Sequence, residues 1–143
     1  DAVVCLTSAL LEVLDDTDAL EALQSMRRVL SPGGILIFDQ GMSDAMIQEK
    51  PEVDPILNTR DHSRLFVMDY EPEVMTIRIC DFIHTDADRD FRTFTVRLRI
   101  RLLDDWKRLL ARAGFQKIDF FGSWEEEHYD KKTSRRLIAV AYK

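Results

Sequence analysis

The sequence predicts an α/β protein, an open sheet into which an antiparallel meander is inserted. Three observations carry this prediction. Residues 26–39, Met-Arg-Arg-Val-Leu-Ser-Pro-Gly-Gly-Ile-Leu-Ile-Phe-Asp, read as the end of a helix, a tight turn and an apolar strand that ends in a carboxylate. Between Arg64 and Leu103 the apolar residues switch to period two, the spacing of strands with one wet face. Beyond them Leu109–Phe115 gives a second helix–glycine–strand unit. In open α/β sheets ligands bind at the carboxyl ends of the strands, here after Leu6 and near Asp39-Gln40-Gly41.

The first strand is expected at Ala2–Leu6, buried on both faces, followed by a polar break at Thr7-Ser8 and a helical turn within Ala9–Leu14. Asp15-Asp16-Thr17-Asp18 is rich in N-cap residues, and Glu21 lies three beyond Asp18 as in a capping box. Ala19, Leu20, Leu23, Met26, Val29 and Leu30 recur at helical spacing, which predicts a helix over about 17–30. Arg27 and Arg28 suit the negative end of its dipole. Pro32 cannot continue the helix, and Gly33 and Gly34 are expected to supply the positive φ of the reversal. Ile35 to Phe38 is a continuous apolar run, as for a strand covered on both faces.

Residues 41–63 form a weakly patterned connector containing Pro51 and Pro55, expected to be mobile, with a short helix near 43–49. Three strands follow, Leu65–Tyr70, Val74–Thr85 and Phe91–Leu103. Glu71-Pro72-Glu73 and Asp86–Asp90 supply the turns. Asp104 and Asp105 are placed to cap a helix through Trp106, Leu109, Leu110 and Ala113, which Gly114 ends. A strand over Phe115–Phe121, a polar loop over Gly122–Ser134 and a last strand over Arg135–Tyr142 complete the chain. The expectation is a single domain over 1–143, in which 41–103 is an inserted lid and meander.

At 143 residues the chain can bury one core. A net charge of −6 offers no broad basic field, so nucleic acid is not an expected partner. Cys5 and Cys80 form no CxxC and no disulfide framework, and a reducing cytoplasm is the default location. No apolar run is long enough to span a membrane, and no signal peptide is recognised. The chain opens with Asp1-Ala2-Val3-Val4-Cys5-Leu6, inside a strand and without an initiator Met, so a fragment is expected.

The first strand with Thr7-Ser8, the helix, Leu30-Ser31-Pro32-Gly33-Gly34-Ile35-Leu36-Ile37-Phe38-Asp39, then Leu109-Leu110-Ala111-Arg112-Ala113-Gly114-Phe115 and the closing Ser134–Tyr142 strand resemble, in this order, class I S-adenosylmethionine-dependent methyltransferases. The likeness spans nearly the whole chain but only the carboxyl-terminal half of that Rossmann-like fold. It implies that the sheet strands here are the fourth to seventh of seven, the last running antiparallel. The meander is similar to the extension of small-molecule N-methyltransferases, including those acting on amino sugars. In the family a Gly-rich loop approaches the methionine moiety of the cofactor and an acidic residue binds its ribose. The glycines here are 33, 34, 41, 114 and 122, with no Gly-x-Gly. The pair at 33–34 precedes a strand, so it is no phosphate cradle. The resemblance thus implies that these residues alone bind S-adenosylmethionine weakly or not at all and are inactive by themselves.

By the same resemblance Cys5, Leu6, Thr7 and Ser8 pass beside the methionine portion of S-adenosylmethionine, although Thr7 and Ser8 also suit a simple helix cap. Asp39 and Gln40 can border the substrate or form an ordinary strand-ending turn. Arg97, Arg99 and Arg101 fall on one strand face at period two, able to hold a carboxylate or phosphate or to pair with the many acids. Tyr70, Trp124, His128 and Tyr129 are candidates to line a pocket. Asp81-x-x-His84-x-Asp86 resembles a metal cluster only loosely, since alternation sets Asp81 and His84 on opposite faces, and no metal site is assigned. Asp39 could orient an amine or act as base, but in-line methyl transfer requires mainly proximity and a deprotonated nucleophile, so no catalytic residue is assigned. The first functional reading is the carboxyl-terminal part of a methyltransferase acting on a small molecule, at an amine. The second is a non-catalytic assembly module that kept half of the fold. In the second reading the open strand edge of Ala2–Leu6 matters, so self-association into a homo-oligomer, a dimer at the simplest, is expected through that edge or the meander.

Overall fold

A computed structural model describes residues 1–143. In chain order its elements are β1 (Ala2–Cys5), α1 (Asp16–Val29), β2 (Ile35–Gln40), α2 (Asp44–Glu49), β3 (Val53–Asn58), β4 (His62–Tyr70), β5 (Val74–His84), β6 (Arg89–Arg99), α3 (Leu103–Ala113), β7 (Lys117–Phe121) and β8 (Leu137–Tyr142). They divide into two compact units, residues 1–49 with 99–143 and residues 50–98. The second unit is shorter than the expected 41–103 insertion, and α2 belongs to the first unit because hydrogen bonds tie Asp44 to Tyr129 and Leu103.

The first unit is a sheet in the order β1-β2-β8-β7. β1 runs parallel to β2, and β8 runs antiparallel to both of its neighbours. On one face Leu36 and Phe38 are fully buried, and the Phe38 ring meets Trp106 of α3 at 4.6 Å between centroids. α1 packs beside α3. From α3 the side chains of Leu103, Trp106, Leu109, Leu110 and Ala113 are buried, and each large apolar one contributes roughly 1.5–3 kcal/mol. The other face is covered less. Ile35, Ile37, Val140 and Tyr142 are half-buried, and Val4 is 56% exposed. Within residues 1–143 the covered face is the Leu36–Phe38 face, against which Trp106 and its helix lie. Within residues 1–143 β1 pairs with β2 alone.

Local chemistry sets the helix ends, with three corrections. Asp15, not Asp18, is the N-cap of α1, accepting the Thr17 and Asp18 amides at 2.6 and 3.3 Å. In α3 it is Asp105 that caps, taking the Leu102 amide at 3.0 Å, while Asp104 pairs with Lys131 at 2.6 Å. Gly114 ends α3 at φ +94°, as expected. After α1, only Gly33 needs a positive φ, +78°. Gly34 is required for space, because a Cβ there would strike the Asp1 carboxylate, which accepts the Ser31 hydroxyl at 2.6 Å.

The second unit is a sheet in the order β3-β4-β5-β6. It has four strands rather than three. β3 lies in the stretch expected to be a mobile connector, and it tolerates Pro55 because it is an edge strand whose register shifts between Pro55 and Leu57. β6 stops at Arg99, so Arg101 is not on it. Asp81, nearly buried, is gripped by the Arg64 guanidinium at 2.7 and 2.8 Å, with His62 Nε2 at 3.1 Å. No helix is long and apolar enough to cross a membrane.

Candidate functional site

The chain leaves β1 in an unusual way. Thr7 and Ser8 both hold φ at +62°, the left-handed region that favours glycine. For an L-residue each such conformation costs roughly 1–2 kcal/mol, and Thr7 is β-branched besides. Two consecutive cases persist only where the surroundings fix them. Here the end of β2 does so. The Asp39 carboxylate accepts the Thr7 amide at 2.6 Å, and the Asp39 carbonyl accepts the Ser8 amide at 3.1 Å. The Ser8 hydroxyl in turn accepts the Gly41 amide at 3.1 Å. The second oxygen of Asp39, whose side chain is 4% exposed, accepts from the Arg136 guanidinium. The two segments expected separately as cofactor side (Cys5 to Ser8) and substrate side (Asp39, Gln40) are thus one hydrogen-bonded unit.

Cys5 adds no nucleophile to it. Burial pushes its thiol up from the ordinary value, and the Asp39 charge adds to this, against a backbone hydrogen bond from Leu10. Leu6 is 43% exposed at the strand end.

Gln40 is turned inward. Its amide nitrogen donates to the Met42 carbonyl at 2.7 Å and the Arg101 carbonyl at 2.9 Å, and its oxygen accepts from Trp106 Nε1 at 2.8 Å. Arg101 is equally enclosed, against the expectation that it shares a strand face with Arg97 and Arg99. It donates to the carbonyls of Leu10, Val13 and Asp15 at 3.1, 2.6 and 3.0 Å and to Asp16 at 3.0 Å. Its guanidinium also lies over the Trp106 ring at 5.8 Å. Arg101 therefore clamps the chain between Ser8 and α1. Burial lowers its pKa and the Asp16 carboxylate opposes that. Arg99 lies 3.8 Å from the same carboxylate, while Arg97 is exposed.

Three of the four remaining aromatic candidates have structural partners. The Tyr129 hydroxyl donates to Asp44 at 2.8 Å and accepts the Asp44 amide at 2.9 Å, and burial moves its pKa well up. His128 stacks on Phe121, Tyr70 donates to the Pro51 carbonyl at 2.9 Å, and Trp124 is 57% exposed. Sequence reasoning did not single out Arg136. Only the antiparallel register, which pairs Asp39 with Ile138 and Gln40 with Leu137, brings it to Asp39.

No protein-family model matches the chain. It is 24% identical over 131 residues to a glycine/sarcosine/dimethylglycine N-methyltransferase of Actinopolyspora halophila, covering 90% of this chain and 22% of that protein. It is 24% identical over 133 residues to a glycine/sarcosine N-methyltransferase of Halorhodospira halochloris, covering 91% of this chain and 46% of that one. The chain thus spans less than half the length of either relative, in their carboxyl-terminal part. Among solved structures it is similar to an S-adenosylmethionine-dependent methyltransferase from Clostridium acetobutylicum (TM-score 0.85, 15% identity, 99% of this chain and 57% of that one). The methyltransferase CcbJ from Streptomyces caelestis gives a TM-score of 0.83 at 16% identity, over 98% of this chain and 59% of that one. CalS10, an amino pentose methyltransferase from Micromonospora echinaspora, gives 0.75 at 19%, over 99% and 57%. These likenesses show the fold: residues 1–143 have the architecture of part of an S-adenosylmethionine-dependent methyltransferase.

Proposed function

We propose that this chain is the carboxyl-terminal part of an S-adenosylmethionine-dependent methyltransferase acting on a small-molecule amine in the cytoplasm. The observation that carries the reading is the β1-β2-β8-β7 sheet with its reversed β8, which matches such enzymes over nearly the whole chain. In this reading β1, β2, β7 and β8 are the fourth, fifth, sixth and seventh strands of the complete sheet. The amine is supported by the curated relatives, named for glycine and sarcosine, and by CalS10, named for an amino pentose.

Cys5, Leu6, Thr7 and Ser8 are assigned to the methionine side of S-adenosylmethionine. The turn offers an exposed strand end there, held rigidly from β2. The chain has no Gly-x-Gly, so the remaining contacts are assigned to residues outside 1–143. When bound, S-adenosylmethionine supplies an electrophilic methyl on a sulfonium. That methyl would pass to the lone pair of a neutral amine, with the electron pair of the broken carbon–sulfur bond left on sulfur and the ammonium proton lost to water. Such a step needs mainly proximity and an unprotonated nitrogen. The polar atoms of Asp39 and Gln40 are engaged within the protein, and the exposed Arg97 is by itself a candidate to hold an anionic group.

The test is methyl transfer by the full-length gene product, with isotopically labelled S-adenosylmethionine offered together with glycine, sarcosine or an amino sugar. Label in the amine, read by mass spectrometry, supports the reading, and label in none of these acceptors contradicts it. A second reading is an assembly module that keeps half of the fold and pairs the β1 edge with a partner strand. This second reading predicts self-association through that edge or the meander. Sedimentation of dilute protein as a monomer would count against that part.

A further inference from the structure

We infer that Asp39, with Arg136 as its counter-ion, is a positioning residue that locks the Thr7–Ser8 turn in the conformation that meets the ligand. The inference rests on the cofactor-side assignment of that turn and deepens it. Four features support it. Thr7 and Ser8 are consecutive non-glycine residues at φ +62°, so the turn does not hold itself. The Asp39 side chain, though nearly buried, is spent on a backbone amide of that turn and on one guanidinium, and not on the packing of its own strand. The Asp39 carbonyl and the Gly41 amide complete the hold through Ser8, so one strand end grips both residues. Arg101 fixes the chain immediately beyond, through the Leu10, Val13 and Asp15 carbonyls, and leaves the turn little room to relax in that direction.

A carboxylate is the fitting group for this task. It accepts on two oxygens, so it can take the Thr7 amide on one and the Arg136 fork on the other. Arg136 is 42% exposed in its side chain, so water can solvate it if Asp39 is removed. Loss of the latch is therefore a local event at the ligand edge and not a loss of the fold.

The test compares the full-length gene product with its Asp39→Ala, Asp39→Asn and Arg136→Lys variants. Two quantities are read, amide hydrogen exchange at Thr7 and Ser8, and affinity for S-adenosylhomocysteine by calorimetry. Asp39→Ala is expected to speed exchange at those two amides and to weaken binding about tenfold, the worth of one charged hydrogen bond. Exchange within β2 and β8 should stay near wild type. Asp39→Asn keeps an oxygen for the Thr7 amide, and Arg136→Lys keeps a charge, so both should recover most of the loss. Where Asp39→Ala fails to fold, Asp39→Asn and Arg136→Lys carry the comparison against Arg136→Ala, which should speed exchange at Thr7 and Ser8. Unchanged exchange at Thr7 and Ser8, or a uniform rise over the whole sheet, overturns the inference. Wild-type protein that binds no S-adenosylhomocysteine, with the turn still loosened by Asp39→Ala, supports the latch and overturns the methyltransferase reading instead.

Discussion

Gln40 stands at the carboxyl end of a strand, where a ligand-binding side chain is expected, yet its amide turns inward to Met42, Arg101 and Trp106. Each partner would be buried and unsatisfied without it, at about 1–3 kcal/mol apiece. Gln40→Leu is therefore expected to lower the unfolding free energy by about 3 kcal/mol or more, read as a shifted urea midpoint with little change in slope. Asp81 behaves differently, because its role depends on pH. The Arg64 guanidinium, helped by His62 and opposed by burial, holds its carboxyl well below the usual carboxylate range. A carboxyl whose pKa is depressed on folding stabilises fully above its unfolded value of about 3.9, and the contribution is lost as pH falls through the folded value. Asp81→Asn should thus be less stable than wild type at neutral pH, and the gap should close as pH drops below about 4 in a series of thermal melts. Single residues were only partly legible in the sequence. Thr7, Ser8 and Asp39 could be nominated from their positions at strand ends, but the hydrogen bonds joining them depend on which strands are neighbours. Arg101 looked like a surface cation because its period-two spacing from Arg97 and Arg99 continues past the end of β6.

Among the elements, the helix–turn–strand unit over 16–40 shows how closely sequence and backbone can correspond. Helix, stop and strand were all readable, and the two glycines differ in what they supply. Gly33 supplies a positive φ, so Gly33→Ala should cost about 1 kcal/mol. Gly34 supplies space for Asp1, so Gly34→Ala should cost more, because the Asp1 carboxylate must leave the Ser31 hydroxyl and amide. Melting temperatures of the two variants compare these effects directly, and equal losses would contradict the distinction. β3 was not legible for a physical reason. Pro55 reads as a strand breaker, and all six residues of the strand are exposed, so no buried face marks its period. The helix positions were legible to within a residue or so, but the capping residue was not, because several adjacent acids can each cap. Geometry selects Asp15 and Asp105 among them.

For the whole molecule, the order β1-β2-β8-β7 carries more functional meaning than any side chain in it. It brings Arg136 to Asp39 across 97 positions of sequence and gathers the candidate ligand edge at the ends of β1 and β2. The resemblance of the two helix–turn–strand units led to this architecture from sequence. Which sheet face α3 covers could not be read there, since an apolar run looks the same whichever face is covered. The central claim is that this sheet is part of an S-adenosylmethionine site. Isothermal titration of the full-length gene product with S-adenosylmethionine tests it most directly. The account predicts saturable heat at one ligand per chain, weakened about tenfold by Asp39→Ala, and a titration without heat from the folded wild-type protein would contradict it.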